Sequence, residues 1–231
     1  MNTQKMNDEL SLFWDEVKLK CDYYQKELNN LTYYVFQTPV SFNPDLMIIG
    51  YNPGGRFFGE GFLKREINWY TNWQQNNVKE ENHSFNRTLC AVFGYQISDK
   101  LTNLIENAVG TNVFYFNTES EDTLNKLKIE KPEMVKEMLS FCQEKTRKLV
   151  DDIIKPKQIL TIHNKTFHSI KNRRIEILSK NPKIYKSFRN NIPVYYIPNP
   201  SRRLINQFYS TDEKIKSYRL FLEKLLFVTE I

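Results

Sequence analysis

A chain of 231 residues with 40% apolar content is long enough to enclose one full core, and a second domain is not required. No apolar run reaches the length of a membrane span and the polar N-terminus lacks a secretory signal, so we predict a cytoplasmic protein with no membrane partner. The three cysteines are far apart and odd in number, which favours reduced core thiols over a disulfide framework. Because no cysteine or histidine cluster has metal-ligand spacing, neither a metal nor another cofactor is predicted.

The net charge of +6 is distributed unevenly along the chain. Residues 155–203 contain twelve Lys or Arg against one acid, Glu176, which gives this segment a net charge of +11. Such asymmetry indicates one face that attracts a polyanion, with nucleic acid as the first candidate. The alternative is a solvated basic surface without a partner.

The first predicted element is an amphipathic helix. Apolar residues recur at three- and four-residue spacing from Leu10 to Leu28. Residues 32–37 then predict a short edge strand. We therefore treat residues 1–40 as an N-terminal helical extension packed on the domain, and residues 41–231 as the α/β domain.

The most distinctive stretch is a predicted buried strand at residues 45–50, which ends abruptly in a turn. Consecutive apolar residues stop at a Gly, and an Asn-Pro-Gly-Gly turn follows. We call residues 50–55 the elbow. Its glycines allow a ligand to approach the backbone closely, and Pro53 fixes a rigid turn that holds Asn52. Because open α/β sheets bind ligands beyond the carboxyl ends of their strands, the elbow is a predicted active site.

The elements after the elbow predict the fold class. Residues 56–83 are polar and aromatic with few helix signals, which is typical of a functional or mobile loop. The remaining predicted elements are helices at residues 84–93, 98–109, 132–153, 165–180 and from 210 onward, and strands at 112–116, 158–162 and 193–197. Strands that alternate with helices predict a single-domain three-layer α-β-α sandwich around a mostly parallel sheet of about four strands.

Three of the predicted strands end in an asparagine. These residues are Asn52, Asn117 and Asn199. An amide has both a donor and an acceptor, so it can orient a water molecule or read the edge of a nucleobase. The sequence has no phosphate-binding Gly-rich loop, no dinucleotide fingerprint and no serine nucleophile motif.

Two motifs of this chain resemble those of a known superfamily. Gly50-Tyr51-Asn52-Pro53-Gly54 resembles the first motif of the uracil-DNA glycosylase superfamily, in the form of its mismatch-specific, thymine-DNA glycosylase and single-strand-selective branches. Ile197-Pro198-Asn199-Pro200-Ser201 is similar to the second motif of the mismatch-specific branch. Asn86-Arg87 is similar to the segment that follows the first motif there, and Asn117 looks like the pyrimidine-reading asparagine of the single-strand-selective branch.

The resemblance implies roles for individual residues. Asn52 would orient the attacking water, and Asn199 would line the sugar side of the pocket, so these two are the predicted catalytic residues. The predicted substrate-binding residues are Gly50, Tyr51, Pro53, Gly54, Phe57, Phe58 and Asn117, with a phenylalanine stacking on the flipped base and Asn117 reading its edge. The predicted DNA contacts are Ser201, Arg202, Arg203, Leu204, Lys165, Lys171, Arg173 and Arg174.

The function implied by the resemblance is that of a monofunctional DNA glycosylase without a cofactor. It would act as a monomer in base excision repair, removing uracil or a related damaged or mismatched pyrimidine from single- or double-stranded DNA. Two alternatives remain open, because fold and function separate easily. One is a catalytically inactive relative that binds nucleic acid, and the other is a hydrolase that acts on free nucleosides or nucleotides.

Overall fold

The computed structural model describes residues 3–28, 31–53, 84–93, 99–117, 121–180, 183–198 and 212–227. The helices are α1 (Thr3–Glu27), α2 (Ser84–Phe93), α3 (Asp99–Glu106), α4 (Glu121–Glu130), α5 (Pro132–Lys148), which continues into a π-helical turn (Leu149–Ile154), α6 (Asn164–Ile170) and α7 (Asp212–Phe227). The strands are β1 (Met47–Gly50), β2 (Val109–Asn112), β3 (Ile159–Thr161), β4 (Glu176–Lys180), β5 (Lys183–Arg189) and β6 (Ile192–Tyr196).

In the described part of the chain, one sheet of six strands has the order β2-β1-β3-β6-β5-β4. The first four strands in this order run parallel, and β5 is antiparallel to both of its neighbours. The predicted α/β class with a mostly parallel sheet is therefore confirmed. The predicted number of about four strands is wrong, because the β4–β5 hairpin extends one edge of the parallel sheet by two strands.

Helices cover both faces of the sheet. Because successive side chains of a strand point to opposite faces, an uninterrupted apolar strand needs a core on each side. Met47 and Ile49 of β1 point into one core cluster, which they share with side chains of α1, α4, α5 and α6. Ile48 points into the opposite cluster, together with side chains of α2, α3 and α7. The central strand is therefore buried on both sides, which explains its uninterrupted apolar sequence.

The apolar stripe of α1 is buried against the sheet and α5. Phe13, Val17 and Tyr24 are at most 1% exposed. The hydroxyl group of Tyr24 also donates a hydrogen bond of 2.8 Å to Glu137 of α5. The predicted edge strand at residues 32–37 is reduced to two isolated antiparallel bridges, which lie beside β2 and the segment after it.

The predicted second strand at residues 112–116 is wrong in position. β2 is Val109–Asn112, and Val109 pairs with Met47 in register. The chain follows β1 only a little further, through hydrogen bonds from the N–H groups of Val113 and Phe114 to Gly50 and Tyr51 at 3.1 and 2.8 Å. Pairing with β1, rather than the richer apolar run that follows, decides where the strand lies.

The predicted basic helix at residues 165–180 is also wrong beyond its first two turns. Helix α6 ends at Ile170, and β4 begins at Glu176. The carbonyl groups of Arg173 and Arg174 accept hydrogen bonds from the Ser187 hydroxyl group of β5 at 2.9 and 3.0 Å. These cross-strand bonds fasten the segment to β5 and direct it into the sheet.

Candidate active site at the carboxyl edge of the sheet

The strand order creates a crevice at the carboxyl ends of β1 and β3. From β1 the chain moves to β2 on one side, and it later returns to β3 on the other side. Such a reversal is where open α/β sheets bind their ligands. The elbow follows β1 at this point, and His163 follows β3 two residues after Thr161.

The described part of the elbow, residues 50–53, is tied to the end of β2. The carbonyl groups of Gly50 and Tyr51 accept hydrogen bonds from the backbone N–H groups of Val113 and Phe114, which follow β2. The Asn52 amide nitrogen donates a hydrogen bond of 3.3 Å to the Pro53 carbonyl group, and Pro53 is buried. The turn is therefore anchored at both ends, with the half-buried Asn52 side chain beside the crevice.

A cluster of three side chains joins the elbow to β3 and α6. The rings of Tyr51 and His163 lie 5.0 Å apart between centres, at an interplanar angle of 31°. The ammonium group of Lys165 lies 5.6 Å from the centre of the Tyr51 ring, which is a cation–π distance. Tyr51 thus bridges the crevice between the two central strands.

His163 has a fixed orientation because it caps α6. Its Nδ1 atom accepts a hydrogen bond of 3.2 Å from the backbone N–H of Lys165. A nitrogen that accepts carries no hydrogen, so the neutral ring carries its hydrogen on Nε2. The site therefore contains an imidazole N–H donor beside the elbow, together with a lysine cation. His163 is not among the predicted site residues, although its position directly after a strand is a usable signal.

Asn112 is also absent from the predicted site residues, because the second strand was predicted to begin at this residue, whereas β2 ends there. Asn112 is the last residue of β2 and pairs in register with Gly50. Its Oδ1 atom lies 2.3 Å from where a β-carbon on Gly50 would be, so its amide fills the space that glycine leaves. The side chain is 5% exposed, and Nδ2 has no hydrogen-bond partner among the described residues. An unpaired buried amide is costly, which marks this corner of the crevice as a polar position.

Asn117, the predicted base-reading residue, lies further from the end of β2. Its backbone N–H donates a hydrogen bond of 2.8 Å to the Thr32 carbonyl group, next to the Tyr33–Phe116 bridge. The side chain is 6% exposed, and Oδ1 has no partner within the described ranges. Its role in reading a base remains a prediction.

Several predicted site residues lie outside the described residues. These are Gly54, Phe57, Phe58, Asn199, Ser201, Arg202, Arg203 and Leu204. The second motif enters the description through Ile197 and Pro198, which are buried directly after β6. Since β6 is parallel to β1, the second motif begins at the same edge of the sheet as the elbow.

The basic residues of segment 155–203 do not share one face, contrary to the prediction. Lys157 precedes β3 at the amino edge and forms a 2.6 Å ion pair with Asp45. Arg173 also lies at the amino edge, because its guanidinium group bonds to Asn191 in the β5–β6 turn at 3.3 Å. Lys165, by contrast, lies at the carboxyl edge with the elbow. The direction of each strand, which composition does not reveal, separates these charges.

The two other predicted phosphate contacts follow α6 toward the amino edge. The Lys171 ammonium group donates a 3.3 Å hydrogen bond to the Arg173 carbonyl group, and Arg174 is exposed just before β4. Among the four basic residues predicted to bind DNA that the structure describes, Lys165 alone contacts the elbow. The others can reach only a nucleic acid that extends across the sheet.

The described residues contain no group of three or more His, Cys, Asp or Glu side chains arranged to hold a metal ion. Within the same ranges, no helix is long and apolar enough to cross a membrane. Comparison with known proteins gives no match, either to a protein-family model or to a curated protein.

Proposed function

We propose that this protein is a DNA glycosylase that hydrolyses the N-glycosidic bond of uracil, or of a related damaged or mismatched pyrimidine. One observation carries the proposal. The elbow and the beginning of the second motif lie at the same edge of one parallel sheet, on either side of the crevice where the strand order reverses. Motifs that are more than 140 residues apart in sequence therefore begin at the same edge of the sheet, which supports a common site.

The register of the strands supports a shared site. Ile49 of β1 pairs with Thr161 of β3, which pairs with Tyr196 of β6, so the three residues form one row across the sheet. Asn52 comes three residues after Ile49 in the sequence, and Asn199 comes three residues after Tyr196. Because β1 and β6 are two strand spacings apart, the two strand ends are separated by about 10 Å. The end of β3, which His163 follows, lies between them.

The reaction needs a water molecule placed beneath the sugar and a stabilised leaving base. In the proposed step, the water oxygen bonds to the anomeric carbon, and the carbon–nitrogen bond breaks. The base leaves with the bonding electron pair and takes up a proton, while the water gives up a proton to solvent. The Asn52 amide suits orientation of the water, since it does not titrate and holds its geometry at any working pH.

The cluster around Tyr51 supplies a stacking surface, a hydrogen-bond donor and a positive charge for the departing base. An aromatic ring in the crevice offers a stacking surface for a flipped pyrimidine. The Nε2 hydrogen of His163 and the Lys165 cation lie beside that ring. Donors and cations fixed in advance stabilise negative charge as it develops on the leaving base, which favours bond cleavage.

The proposal is tested with oligonucleotides that carry one uracil, in single-stranded and double-stranded form. After incubation, alkali cleaves the strand at each abasic site, and the freed base is measured separately. We expect uracil release and strand cleavage in equal amounts, with no cleavage of the thymine-containing control. DNA binding without base release would instead indicate the inactive relative. Turnover of free nucleosides without DNA binding would indicate the small-substrate hydrolase.

A further inference from the structure

The β4–β5 hairpin reaches the same edge of the sheet as the candidate site. β5 is antiparallel to β6, and Tyr185 pairs with Tyr196, the last residue of β6. Lys183 lies two residues further toward the carboxyl edge, which brings it level with Pro198 in the second motif. Two strand residues span about 7 Å, so the tip of the hairpin extends beyond the end of β6.

Two lysines face each other at this end of the hairpin. Lys180 of β4 and Lys183 of β5 are direct partners in register, and both are exposed. Like charges directly opposite one another destabilise a β-ladder. Further back along the same hairpin, Glu176 pairs with Lys186, an arrangement of opposite charges that carries no such repulsion. A negatively charged ligand between the two lysines would relieve the repulsion at the tip.

The hairpin lysines and Lys165 lie at the two ends of a span along one edge. Lys165 contacts Tyr51 of the elbow. From β1 to β5 there are three strand spacings, because β3 and β6 lie between them, which gives about 14 Å. At a rise of about 3.4 Å per nucleotide, this distance corresponds to about four stacked nucleotides.

We propose that Lys180 and Lys183 of the β4–β5 hairpin form a binding site for backbone phosphates of a DNA strand that runs from the elbow along the carboxyl edge. The target nucleotide would lie at the elbow, and the hairpin would hold the strand about four nucleotides away. The location of the target nucleotide rests on the proposed function. Phosphate binding by the hairpin does not require that function and is measured independently of catalysis.

Lysines on an edge strand also prevent strands of other molecules from pairing with it. The substitution Lys183→Glu separates the two roles, because it leaves Lys180 on the edge strand β4 unchanged and reverses the charge opposite it on β5. It also places opposite charges in register, so the free protein should become slightly more stable. If the lysine pair served only to prevent strand pairing between molecules, this variant would lose no DNA affinity.

The experiment measures the affinity of the full chain for uracil-free oligonucleotides over a range of salt concentrations. The control variant is Lys148→Gln/Lys157→Gln, which lowers the net charge by the same two units. Both of its lysines are exposed. Lys148 lies on the last turn of α5 and pairs with Glu16 of α1, and Lys157 lies in the segment before β3 at the amino edge. We expect Lys183→Glu to weaken binding roughly tenfold at low salt and to reduce the salt slope by about one to two contacts.

A second measurement locates the contact along the strand. Oligonucleotides with an abasic-site analogue are shortened to fewer than four flanking nucleotides on one side at a time. Shortening the side that reaches the hairpin should remove the difference between the wild type and Lys183→Glu, and shortening the other side should preserve it. Equal affinities for Lys183→Glu and the control variant would overturn the proposal, as would a wild-type protein that binds no DNA.

Failure of this proposal is distinguishable from failure of the proposed function. If Lys183→Glu weakens DNA binding but the wild type releases no base, the hairpin remains a DNA-binding site and the glycosylase proposal fails. If the wild type releases uracil but Lys183→Glu binds as well as the control variant, the glycosylase proposal stands and the hairpin proposal fails.

Discussion

The side-chain oxygen of Asn112 occupies the space into which a side chain on Gly50 would extend, 2.3 Å from the position of a β-carbon there. Substituting Gly50→Ala must therefore displace a buried amide at the end of β2. We expect a loss of about 1–3 kcal/mol in the free energy of unfolding, as for other overpacked sites. Urea unfolding of the variant measures this loss.

The same contact predicts how two substitutions combine. In an Asn112→Ala background the oxygen is absent, so the additional cost of Gly50→Ala should fall below about 1 kcal/mol. Asn112→Ala alone provides the reference state for this cycle. Equal costs of Gly50→Ala in both backgrounds would show that the amide is not what excludes a side chain from this position.

Substitutions of His163 separate its structural role from its role beside the elbow. His163→Asn keeps a side-chain acceptor at the N-cap of α6, whereas His163→Ala removes it. We expect the alanine variant alone to lose about 1 kcal/mol of stability. Both variants remove the ring beside Tyr51, so both should lose base release by roughly 100-fold if the imidazole donates to the departing base. Full activity in His163→Asn would limit His163 to capping the helix.

A largely buried ion pair fastens β5 to the π-helical turn after α5. The Arg189 guanidinium group makes two hydrogen bonds to the Asp151 carboxylate, and their side chains are 11% and 24% exposed. Asp151→Ala leaves the Arg189 charge without its partner and should cost about 2–4 kcal/mol. The control is Asp45→Ala, which breaks an exposed pair with Lys157 and should cost less than about 1 kcal/mol. Similar unfolding midpoints for the two variants would contradict this ranking.

Stability should decline in alkaline solution because buried acids resist ionisation. Burial raises the pKa of the Cys142 thiol from 9.0 to about 12. Burial also raises the pKa values of Cys21 and Tyr115 well above their ordinary values. A raised pKa in the folded state means that each contribution is complete below the ordinary pKa and is lost as pH rises through the interval above it.

The measurement is the free energy of unfolding in urea at pH 7.5, 9 and 10, compared with that of Cys142→Ala. The wild type should be nearly constant up to about pH 8.5 and then lose up to about 1.4 kcal/mol per pH unit for each group that titrates. Cys142→Ala should be less stable at neutral pH, with a shallower alkaline slope. Identical slopes would show that the Cys142 thiol does not contribute.

Helices and strands were predicted best where the apolar pattern and the Pro or Gly residues at the ends of a segment indicated the same element. β1 is an apolar run between Pro44 and Gly50, and its position is confirmed. Pro132 begins α5 as predicted, and the helical segment ends at Ile154 before Pro156. At such places local signals and the hydrophobic pattern point to the same structure.

Segments that become strands only because they pair with a neighbouring strand could not be predicted in the same way. The β4–β5 hairpin lies at the edge of the sheet, so most of its side chains are exposed or half-buried and show no clean alternation. The spacing of Ile170, Arg174 and Ile177 is compatible with a helix, and only pairing with β5 makes the segment a strand.

The candidate site was predictable to a similar extent. The elbow lies at the end of a central strand, as its turn chemistry predicts. The contributions of Asn112 and His163 depend on strand register and on the contact with Tyr51, neither of which a linear pattern contains. The location of each basic residue required the direction of its strand, so the charge count alone was misleading.

The measurement that tests the central claim most directly is uracil release by the wild type and Asn52→Ala under single-turnover conditions, with DNA affinity measured in parallel. Asn191→Ala, an exposed substitution in the β5–β6 turn, serves as the control. The account predicts that Asn52→Ala keeps its DNA affinity and loses base release by at least about 100-fold, because an oriented water is lost, while Asn191→Ala retains both properties. Base release by Asn52→Ala at the wild-type rate, or no release by the wild type, would contradict it.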